Sequence, residues 1–541
     1  METAAQTIFQ YHEATKHHFR RYARSAGFLD WRNQPDPFRV YAGASRCRLP
    51  LLSKDPPSAH RALYQRSETP IRTASAAAVG AFFELSMGLS AWKTAGENRW
   101  SLRMNPSSGN LHPTEAHLIW PGTDDLPPGV FHYHPFYHVL EQRMALPEAL
   151  QGALRAALGE GAFLIGLTSI FWRESWKYGE RAFRYCLLDA GHALAAMSFS
   201  AALLGWRVTA LNGLSDASVE AVLGFDRTVW PEGGEEAPEL LCAVHPADAA
   251  APRGLDPEMI AAFAELPVAG DPNPLSGRTV DWEIIDAAAK ATRRPETDGI
   301  AAPLPDRPFL DAPPSAFSAA AVIRKRRSAT AYRAGAGIAR EVFFGILDKT
   351  LPRRGAAPFD LGAAPPSVDL LLFVHQVQGL SPGLYYLVRT VDGLTRMKGL
   401  AAGDLRWSSV DEQLPLFLLK TGDFRNTAQT LSCHQDIAGD GVCAVGMIAN
   451  FEPVVASDPS RYRRLFWESG MIGQVLYLEA EAAGIRGTGI GCYFDDPVHA
   501  LLGLADDHCQ SLYHFTMGVP VEDRRLGTLP PYGHLAGDLQ G

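Results

Sequence analysis

An internal repeat constrains this 541-residue chain more than any other feature of its sequence. The segments Gly205–Gly224 and Gly484–Gly503 share glycine, arginine, threonine and aspartate in register, displaced by 279 positions. The same offset pairs Gly191 with Gly470. Internal similarity of this kind decides the architecture before any other pattern does. We therefore expect two fused copies of one fold. The alternative is a chance similarity between two helix–strand units.

A proline-rich stretch between Pro267 and Pro314 separates the two copies. Proline removes backbone donors and holds the chain extended, which is typical of a linker. Within it, the segment 280–285 is apolar enough to dock on a domain. The predicted organisation is an N-terminal extension (1–55), a first domain (56–266), a linker (267–314) and a second domain (315–541).

Hydrophobic patterning predicts an α+β protein. Two apolar, proline-free runs, Phe183–Leu204 and Tyr462–Ala483, indicate long buried helices. The segments Ala116–Trp120, Leu370–Val374 and Leu512–Gly518 indicate strands. Strands packed under long helices give a layered core.

Composition excludes several classes of protein. The formal net charge of -9 argues against binding nucleic acid through the bulk field. Seven scattered cysteines indicate reduced thiols in a cytoplasm rather than a disulfide scaffold. The N-terminus lacks the pattern of a signal peptide, and the apolar run Ala193–Trp206 is too short to span a bilayer. We therefore expect a cytoplasmic protein without a membrane partner.

Two polar segments are candidates for ligand binding. Pro106, Ser107, Ser108, Gly109 and Asn110 form a turn with several donors, which suits the carbonyl and nitrogen edge of a flavin ring. A plain surface turn before a strand is the alternative.

The second candidate is a basic run containing Arg326, Arg327, Ser328 and Thr330. Arginine forks match the oxygens of a phosphate monoester. A solvated basic helix end is the alternative, although the run opens the second repeat.

A glycine turn follows in the same repeat: Gly489, Ile490, Gly491 and Cys492. Glycine lets backbone amides approach a planar ligand closely, but the spacing is not that of a dinucleotide-binding loop. A tight helix-to-strand turn explains it equally well.

Lys177 and Tyr178 could transfer a proton beside a flavin, and a surface helix start is the alternative. Lysine suits this role only if burial or a like charge lowers its pKa. The spacing of Cys433, His434 and Cys443 is not a zinc pattern, so we predict no metal.

Together these motifs resemble the nitroreductase superfamily, in particular its peptide-azoline dehydrogenase (SagB/ThcOx-like) branch. The resemblance covers most of 60–245 and 320–525 and implies two three-layer α/β/α domains that bind FMN. It assigns the 106–110 loop and the 489–492 turn to the flavin ring, and the arginine–serine run to its phosphate. Lys177 and Tyr178 become the proton-transfer pair, and Arg525 or Arg524 a phosphate contact, unless they are only part of a charged tail.

Members of this superfamily normally form homodimers with two flavins in the interface, and here the two copies have diverged in a complementary way. The first copy keeps the 106–110 loop, here called the serine loop. In place of the phosphate anchor Arg326-Arg327-Ser328, it has only Gln65-Arg66-Ser67. The second keeps the anchor and the glycine turn, but has Gly362–Pro366 in place of the loop and Ala456-Ser457 in place of the lysine–tyrosine pair. One complete site can be assembled, which predicts one FMN between the repeats of an intramolecular pseudo-dimer.

The resemblance implies an FMN-dependent oxidoreductase that dehydrogenates a small or peptide-borne heterocyclic, or amino-acid-derived, substrate by hydride transfer to flavin N5, with O2 or NAD(P)H as possible redox partner. Two alternatives stay open. One is NAD(P)H-dependent reduction of nitro or quinone compounds. The other is a degenerate, non-catalytic scaffold with a flavin fold.

Overall fold

The structure is a computed structural model that describes residues 3–65, 69–299, 303–362 and 365–535. The α-helices in these residues are α1 (Ala4–Ala14), α2 (Ala76–Ser86), α3 (Glu148–Leu158), α4 (Phe171–Tyr178), α5 (Ala182–Leu203), α6 (Asp216–Leu223), α7 (Pro257–Ala264), α8 (Glu283–Ala291), α9 (Ala319–Lys325), α10 (Arg340–Lys349), α11 (Gly393–Leu400), α12 (Arg425–Leu431), α13 (Ile437–Asp440), α14 (Glu452–Ser457), α15 (Arg461–Ala482) and α16 (Asp495–Leu502).

The strands are β1 (Tyr41–Ala42), β2 (Ser45–Arg48), β3 (Leu89–Ala95), β4 (Asn98–Arg103), β5 (Thr114–Trp120), β6 (Gly129–His134), β7 (Val139–Ala145), β8 (Phe163–Ser169), β9 (Trp206–Ala210), β10 (Ala237–Pro246), β11 (Asp271–Pro272), β12 (Val368–Val374), β13 (Gly383–Leu387), β14 (Ser408–Ser409), β15 (Leu416–Thr421), β16 (Cys443–Asn450), β17 (Arg486–Ile490), β18 (Cys509–Gly518) and β19 (Gly527–Leu529).

Two seven-stranded sheets share the order of six of their strands. They run β2-β7-β6-β5-β8-β10-β9 and β14-β15-β13-β12-β16-β18-β17, and from the second position onward each strand of the first has a counterpart in the second. The edge strands differ, because β2 precedes the rest of its sheet in the chain and β14 lies between β13 and β15. A smaller sheet, β19-β3-β4, joins the end of the chain to the first half. The α+β class is confirmed, with the sheets in two separate groups. The predicted helices α5 and α15 and the predicted strands β5, β12 and β18 are present.

The three largest hydrophobic cores of the described residues lie between the layers. The central core contains α5 and α15 and receives side chains from both large sheets. An outer core packs α3, α6 and α7 on the other face of the first sheet, and another packs α11, α12 and α16 on the second. Each sheet is therefore covered by helices on both faces, and the two halves share the middle layer.

The central helices cross where the sequence repeat has its paired glycines. A Cβ built on Gly470 would lie 2.2 Å from the Leu188 carbonyl oxygen and 2.9 Å from the Gly191 Cα. A Cβ on Gly191 would lie 2.3 Å from the Trp467 carbonyl oxygen. Only glycine permits this approach of two backbones. Two residues separated by 279 positions therefore meet at one crossing point.

We expect the substitution Gly470→Ala to lower the free energy of unfolding by about 3 kcal/mol, the upper end of the usual cost of overpacking. The obstructing atoms belong to the backbone of α5, so relief requires the helices to separate. Urea unfolding followed by circular dichroism measures the change. In the matched control Gly152→Ala, on α3, the new Cβ meets nothing within 4 Å. Alanine should stabilise that helix by about 0.5–1 kcal/mol. Equal effects of the two substitutions would contradict the crossing.

Buried ion pairs across the interface follow the same offset. The Arg184 Nη1 lies 2.8 Å from Asp495 Oδ1, and the Arg463 Nη1 lies 2.6 Å from Asp216 Oδ2. Arg184 corresponds to Arg463, and Asp216 to Asp495, because each pair is separated by the 279 positions of the repeat. Reciprocal contacts of this kind characterise an isologous two-fold interface, here within one chain.

The N-terminal extension lies across this interface. The main-chain amide of His17 donates to Asp495 Oδ2 (3.0 Å), and the Arg181 Nη1 donates to the Thr15 carbonyl (2.6 Å). The Tyr11 hydroxyl donates to the Glu180 carbonyl (2.8 Å). Helix α8, inside the predicted linker, packs against α1. The segment 267–314 is therefore partly helical and docked.

One helical run of the described chain, Phe171–Leu203, is long and apolar enough to span a membrane, and its apolar window is entirely buried within the protein. It contains α5, the core helix of the first half.

Candidate functional site

A cavity of about 750 Å³ lies between the two halves. Three of the predicted segments line it: residues 106–110 of the first half, and Arg326–Ser328 and Gly489–Cys492 of the second. Thr330 and Tyr178 line it as well. Its size lies within the range of small-molecule sites. The structure therefore brings together candidate groups that are far apart in sequence.

Basic side chains crowd one part of the cavity wall. Lys93, Arg326, Arg327 and Arg486 lie close enough to affect one another's charge, and Arg103 and Arg524 also line the cavity. Arg486 is paired with Glu522 (2.8 Å), whereas Arg326 and Arg327 form no ion pair within the described part of the chain. Burial, and then the charge of Arg326, lowers the pKa of Arg327 to about 10, and burial lowers the pKa of Arg326. An anion bound here would relieve both penalties.

The arginines also fasten the second half to the first. The Arg326 Nε and Nη2 donate to the main-chain carbonyls of Met104 (3.2 Å) and Arg103 (3.1 Å). The Arg327 Nη2 donates to the Ser90 carbonyl (3.0 Å). Helix α9 ends at the exposed Lys325, and the chain then turns Arg326 and Arg327 into the interface. Arg326 itself is only 4% exposed.

The serine loop is held in shape by hydrogen bonds to α5 and β4 and by one to its own Ser107. The Ser108 amide and hydroxyl each donate to Asp189 Oδ1 (3.0 Å), and the His112 amide donates to Ser107 Oγ (2.8 Å). The Asn110 Nδ2 donates to the Ser101 carbonyl (2.9 Å). The loop therefore presents a preformed surface to the cavity.

Asp189 is a buried carboxyl in the cavity wall, and burial raises its pKa to about 7 against the opposing effect of the serine hydrogen bonds. An unfolded aspartate titrates near 3.9. Between these values the folded state holds the extra proton, so Asp189 makes stability fall as the pH rises through this window.

We therefore expect the melting temperature of Asp189→Asn to exceed that of the wild type. The excess should grow between about pH 4 and 7 and stay constant above pH 7. Thermal melts at fixed flavin concentration across this range measure the difference. If the difference in melting temperature does not vary with pH, the pKa of Asp189 is not raised in the folded protein.

Several cavity residues were not predicted from the sequence. Tyr185, Asp189 and His192 lie on one face of α5, with helical spacing in an otherwise apolar run. That spacing of polar groups was the available signal. The His192 Nε2 lies 3.1 Å from the Tyr513 hydroxyl. Tyr513 lines the cavity from β18, and Tyr477 lines it from α15.

Tyr477 connects the arginine–serine run to the glycine turn. Its hydroxyl accepts a hydrogen bond from the Gly489 amide (2.9 Å) and lies 2.8 Å from the Ser328 Oγ. The Gly491 carbonyl accepts from the Tyr185 hydroxyl (3.0 Å). Aromatic hydroxyls therefore fix the end of β17 and the residue Gly491 just after it.

Lys177 and Tyr178 end α4 beside the serine loop. A Cβ built on Gly109 would lie 2.6 Å from the Tyr178 Oη and 3.0 Å from the Lys177 Nζ. The Lys177 Nζ lies 5.1 Å from the centre of the Tyr178 ring. Burial raises the pKa of Tyr178 well above its usual range, so the phenol stays protonated. Tyr178 lines the cavity directly, whereas Lys177 reaches only the loop.

Two candidates lie elsewhere. Arg525 is 88% exposed and paired with Asp523 (2.7 Å), outside the cavity that its neighbour Arg524 lines. Cys443 is buried on β16, away from the cavity wall. Within the described chain, the group with geometry to hold a metal is Glu13, His18 and Asp496, which includes no cysteine.

The reciprocal position, at the turn after β9, is contacted by two other segments of the chain. The Thr297 amide donates to the Gly213 carbonyl (3.0 Å), and its hydroxyl donates to the Asn212 carbonyl (3.2 Å). The Asn212 Nδ2 donates to the Gly362 carbonyl (2.6 Å). Thr297 of the linker and Gly362 therefore both contact this turn. Of the reduced anchor, Arg66 and Ser67 lie outside the described residues, as do residues 363 and 364.

Comparison by sequence finds the nitroreductase family, whose model matches residues 76–234. This stretch lies in the first half and carries the serine loop and the lysine–tyrosine pair. No curated protein gives a significant match.

Comparison by structure extends the likeness to both halves. A crystal structure of a candidate nitroreductase from Anabaena variabilis is 22% identical, with a TM-score of 0.69, and the alignment covers 96% of this chain and 100% of that one. The chain therefore has a nitroreductase fold.

Two further crystal structures are similar over part of the chain. They are a candidate nitroreductase from Ralstonia eutropha (15% identical, TM-score 0.28, 41% of this chain and 90% of that one) and the E. coli microcin synthetase McbBCD complex with truncated pro-MccB17 bound (16% identical, TM-score 0.28, 37% of this chain and 70% of that one). TM-scores this low carry no structural argument.

Proposed function

We propose that this chain is an FMN-dependent oxidoreductase that holds one FMN in the cavity between two tandem nitroreductase-like domains. The observation that carries the proposal is the composition of the cavity wall. The serine loop comes from the first half, and the arginine–serine run and the glycine turn come from the second.

The residues present suit a flavin mononucleotide. Its phosphate monoester is an anion, and Arg326, Arg327 and Lys93 supply a concentrated positive charge at one part of the wall. Burial lowers the pKa values of both arginines, and the charge of Arg326 lowers that of Arg327 further. A bound anion offsets both effects, because it stabilises the charged guanidinium groups. The serine loop and the 489–492 turn provide polar backbone against which a flat ring can rest.

The contacts at the reciprocal position support a single flavin. A second ring there would need the space that Thr297 and Gly299 occupy against Gly213. The Asn212–Gly362 hydrogen bond would also have to break. The proposed stoichiometry is therefore one FMN per chain.

When bound, FMN supplies the redox chemistry, because its ring takes up or gives up a hydride at N5. The protein's part is to orient substrate and to move a proton. The protonated Tyr178 hydroxyl faces the cavity as a hydrogen-bond donor, and we assign the proton transfer to Lys177 with Tyr178. A proton-transfer pair favours dehydrogenation of a small or peptide-borne heterocyclic substrate.

A paired assay tests this direction of reaction. Oxygen uptake is measured with a thiazoline- or oxazoline-containing substrate, and NADPH consumption is measured with a nitroarene. We expect substrate-dependent oxygen uptake that falls at least about 100-fold in Lys177→Ala, the usual scale of general acid–base catalysis. NADPH oxidation coupled to nitroarene reduction, unaffected by Lys177→Ala, would instead make the enzyme a reductase.

A further inference from the structure

Two cysteines from distant parts of the second half meet beside the cavity. The Cys433 Sγ lies 2.7 Å from the Cys492 Sγ. A disulfide bond is about 2.05 Å long, so the two sulphurs are separated by little more than the bond they could form. Cys433 follows α12 by two residues, and Cys492 ends the glycine turn that lines the cavity. Both side chains are half-buried, which leaves them within reach of small reagents.

The backbone around Cys433 adopts a conformation that holds this contact. Cys433 and its neighbour His434 have φ values of 54° and 59°, in the left-handed region that non-glycine residues seldom occupy. Such conformations persist only where the surroundings impose them. The Gln435 Nε2 donates to the carbonyls of Ser432 (2.8 Å) and Cys492 (3.2 Å), which ties the two segments together.

The charges around the pair favour a thiolate on one sulphur. The Cys433 thiol, as hydrogen-bond donor, is the main cause that lowers the pKa of Cys492 to about 5, with His17 and Arg181 contributing in the same direction. The same contact raises the pKa of Cys433. Arg181 is fixed nearby, since its Nη2 donates to the Gly491 carbonyl (3.3 Å). A stabilised, half-buried thiolate is the usual form of a reactive cysteine.

We propose that Cys433 and Cys492 form a redox-active dithiol at the edge of the cavity, which converts reversibly to an intramolecular disulfide by exchange with small-molecule disulfides. The geometry carries this assignment independently of flavin binding.

The exchange takes two steps. The Cys492 thiolate attacks one sulphur of the small disulfide; a Cys492 mixed disulfide forms, and one thiolate leaves and takes up a proton. Cys433 then loses its proton and attacks the Cys492 sulphur, which releases the second thiol and forms the Cys433–Cys492 bond. The two protein thiols are oxidised by two electrons in total, and the small disulfide is reduced to two thiols.

Oxidation also changes the cavity wall. The disulfide replaces a thiolate at Cys492 and links the turn after β17 covalently to the segment Ser432–Gln435, of which Gln435 lines the cavity as well. Where FMN is bound as proposed above, we expect the loss of this charge to shift the flavin absorbance. This last readout rests on the proposed function; the covalent chemistry does not.

The test uses the purified full-length protein with excess oxidised glutathione, followed by alkylation and intact mass measurement. The wild type should lose two alkylatable thiols without gaining glutathione, and dithiothreitol should restore both. Cys433→Ser should stop at a glutathione adduct on Cys492, because the second thiol is missing. Cys47→Ser, which removes a half-buried cysteine on β2, should behave as the wild type does.

Peptide mapping of the oxidised wild type keeps the test independent of the stability of the variants. A cross-linked peptide that contains Cys433 and Cys492 is the expected product. Retention of all alkylatable thiols, stable glutathionylation of the wild type or a cross-link between other cysteines would each overturn the proposal. A Cys433–Cys492 cross-link without any change in flavin absorbance would support the redox-active dithiol and contradict the binding of a flavin in this cavity.

Discussion

Asp495→Ala should lower the free energy of unfolding by about 3–5 kcal/mol, because it leaves buried charges without their partner. Asp495 is 0% exposed. Arg181 and Arg184 of the first half both contact its carboxylate, at 3.1 and 2.8 Å, and hold its pKa down to about 2 despite burial. Denaturant unfolding at neutral pH measures the effect.

The pH dependence of that effect has a definite sign. Because the folded pKa of Asp495 is depressed, its contribution to stability is present above the unfolded value of about 3.9 and is lost as the pH falls toward 2. The wild type and Asp495→Ala should therefore converge in stability at low pH.

The exposed pair of Arg354 and Asp306 (2.6 Å) provides the control, since exposed ion pairs contribute about 1 kcal/mol or less. Asp306→Ala should therefore change little. Asp216→Ala, at the reciprocal position, should resemble Asp495→Ala. If Asp495→Ala costs no more than Asp306→Ala, the reciprocal pairs do not hold the two halves together.

Arg326→Ala should weaken FMN binding by about 10- to 100-fold, because a charge-assisted hydrogen bond contributes about 1.5–3 kcal/mol. Its guanidinium is buried in the cavity wall and is anchored on the Arg103 and Met104 carbonyls, so it is positioned before any ligand arrives. Titration of flavin-free protein with FMN, followed by the quenching of flavin fluorescence, gives the dissociation constant.

Arg354→Ala removes an exposed arginine of the same half and should leave the affinity for FMN unchanged. Circular dichroism separates a loss of binding from a loss of fold, since Arg326 also bridges the two halves. If a folded Arg326→Ala protein binds FMN with unchanged affinity, the phosphate does not bind in this part of the cavity.

The repeat was the most informative part of the sequence. Its offset predicted two copies of one fold but no contacts between them. The structure adds that the equivalent glycines meet at the helix crossing and that the arginine–aspartate pair occurs twice, once at each equivalent position. In a two-fold interface equivalent residues meet near the axis, so a spacing in sequence becomes a contact in space. The domain boundaries stay predictions.

Other parts of the site could not be inferred. Asp189 and His192 lie in a helix whose apolar composition indicates only burial, and which of its faces meets a cavity depends on tertiary packing. The sequence around Cys433 and His434 raises the question of a metal site. It gives no sign that Cys433 contacts Cys492, 59 residues away. Arg524 rather than Arg525 lines the cavity, because the direction of a side chain after a turn depends on local backbone angles.

The flavin content of the purified protein tests the central claim most directly. The absorbance spectrum, combined with a protein assay, gives the number of FMN molecules per chain after saturation and removal of free flavin. We expect a value near one, which falls when Arg326 is replaced. A value near two would mean that the turn after β9 opens to admit a second flavin, and a colourless protein that takes up no FMN would contradict the proposed function itself.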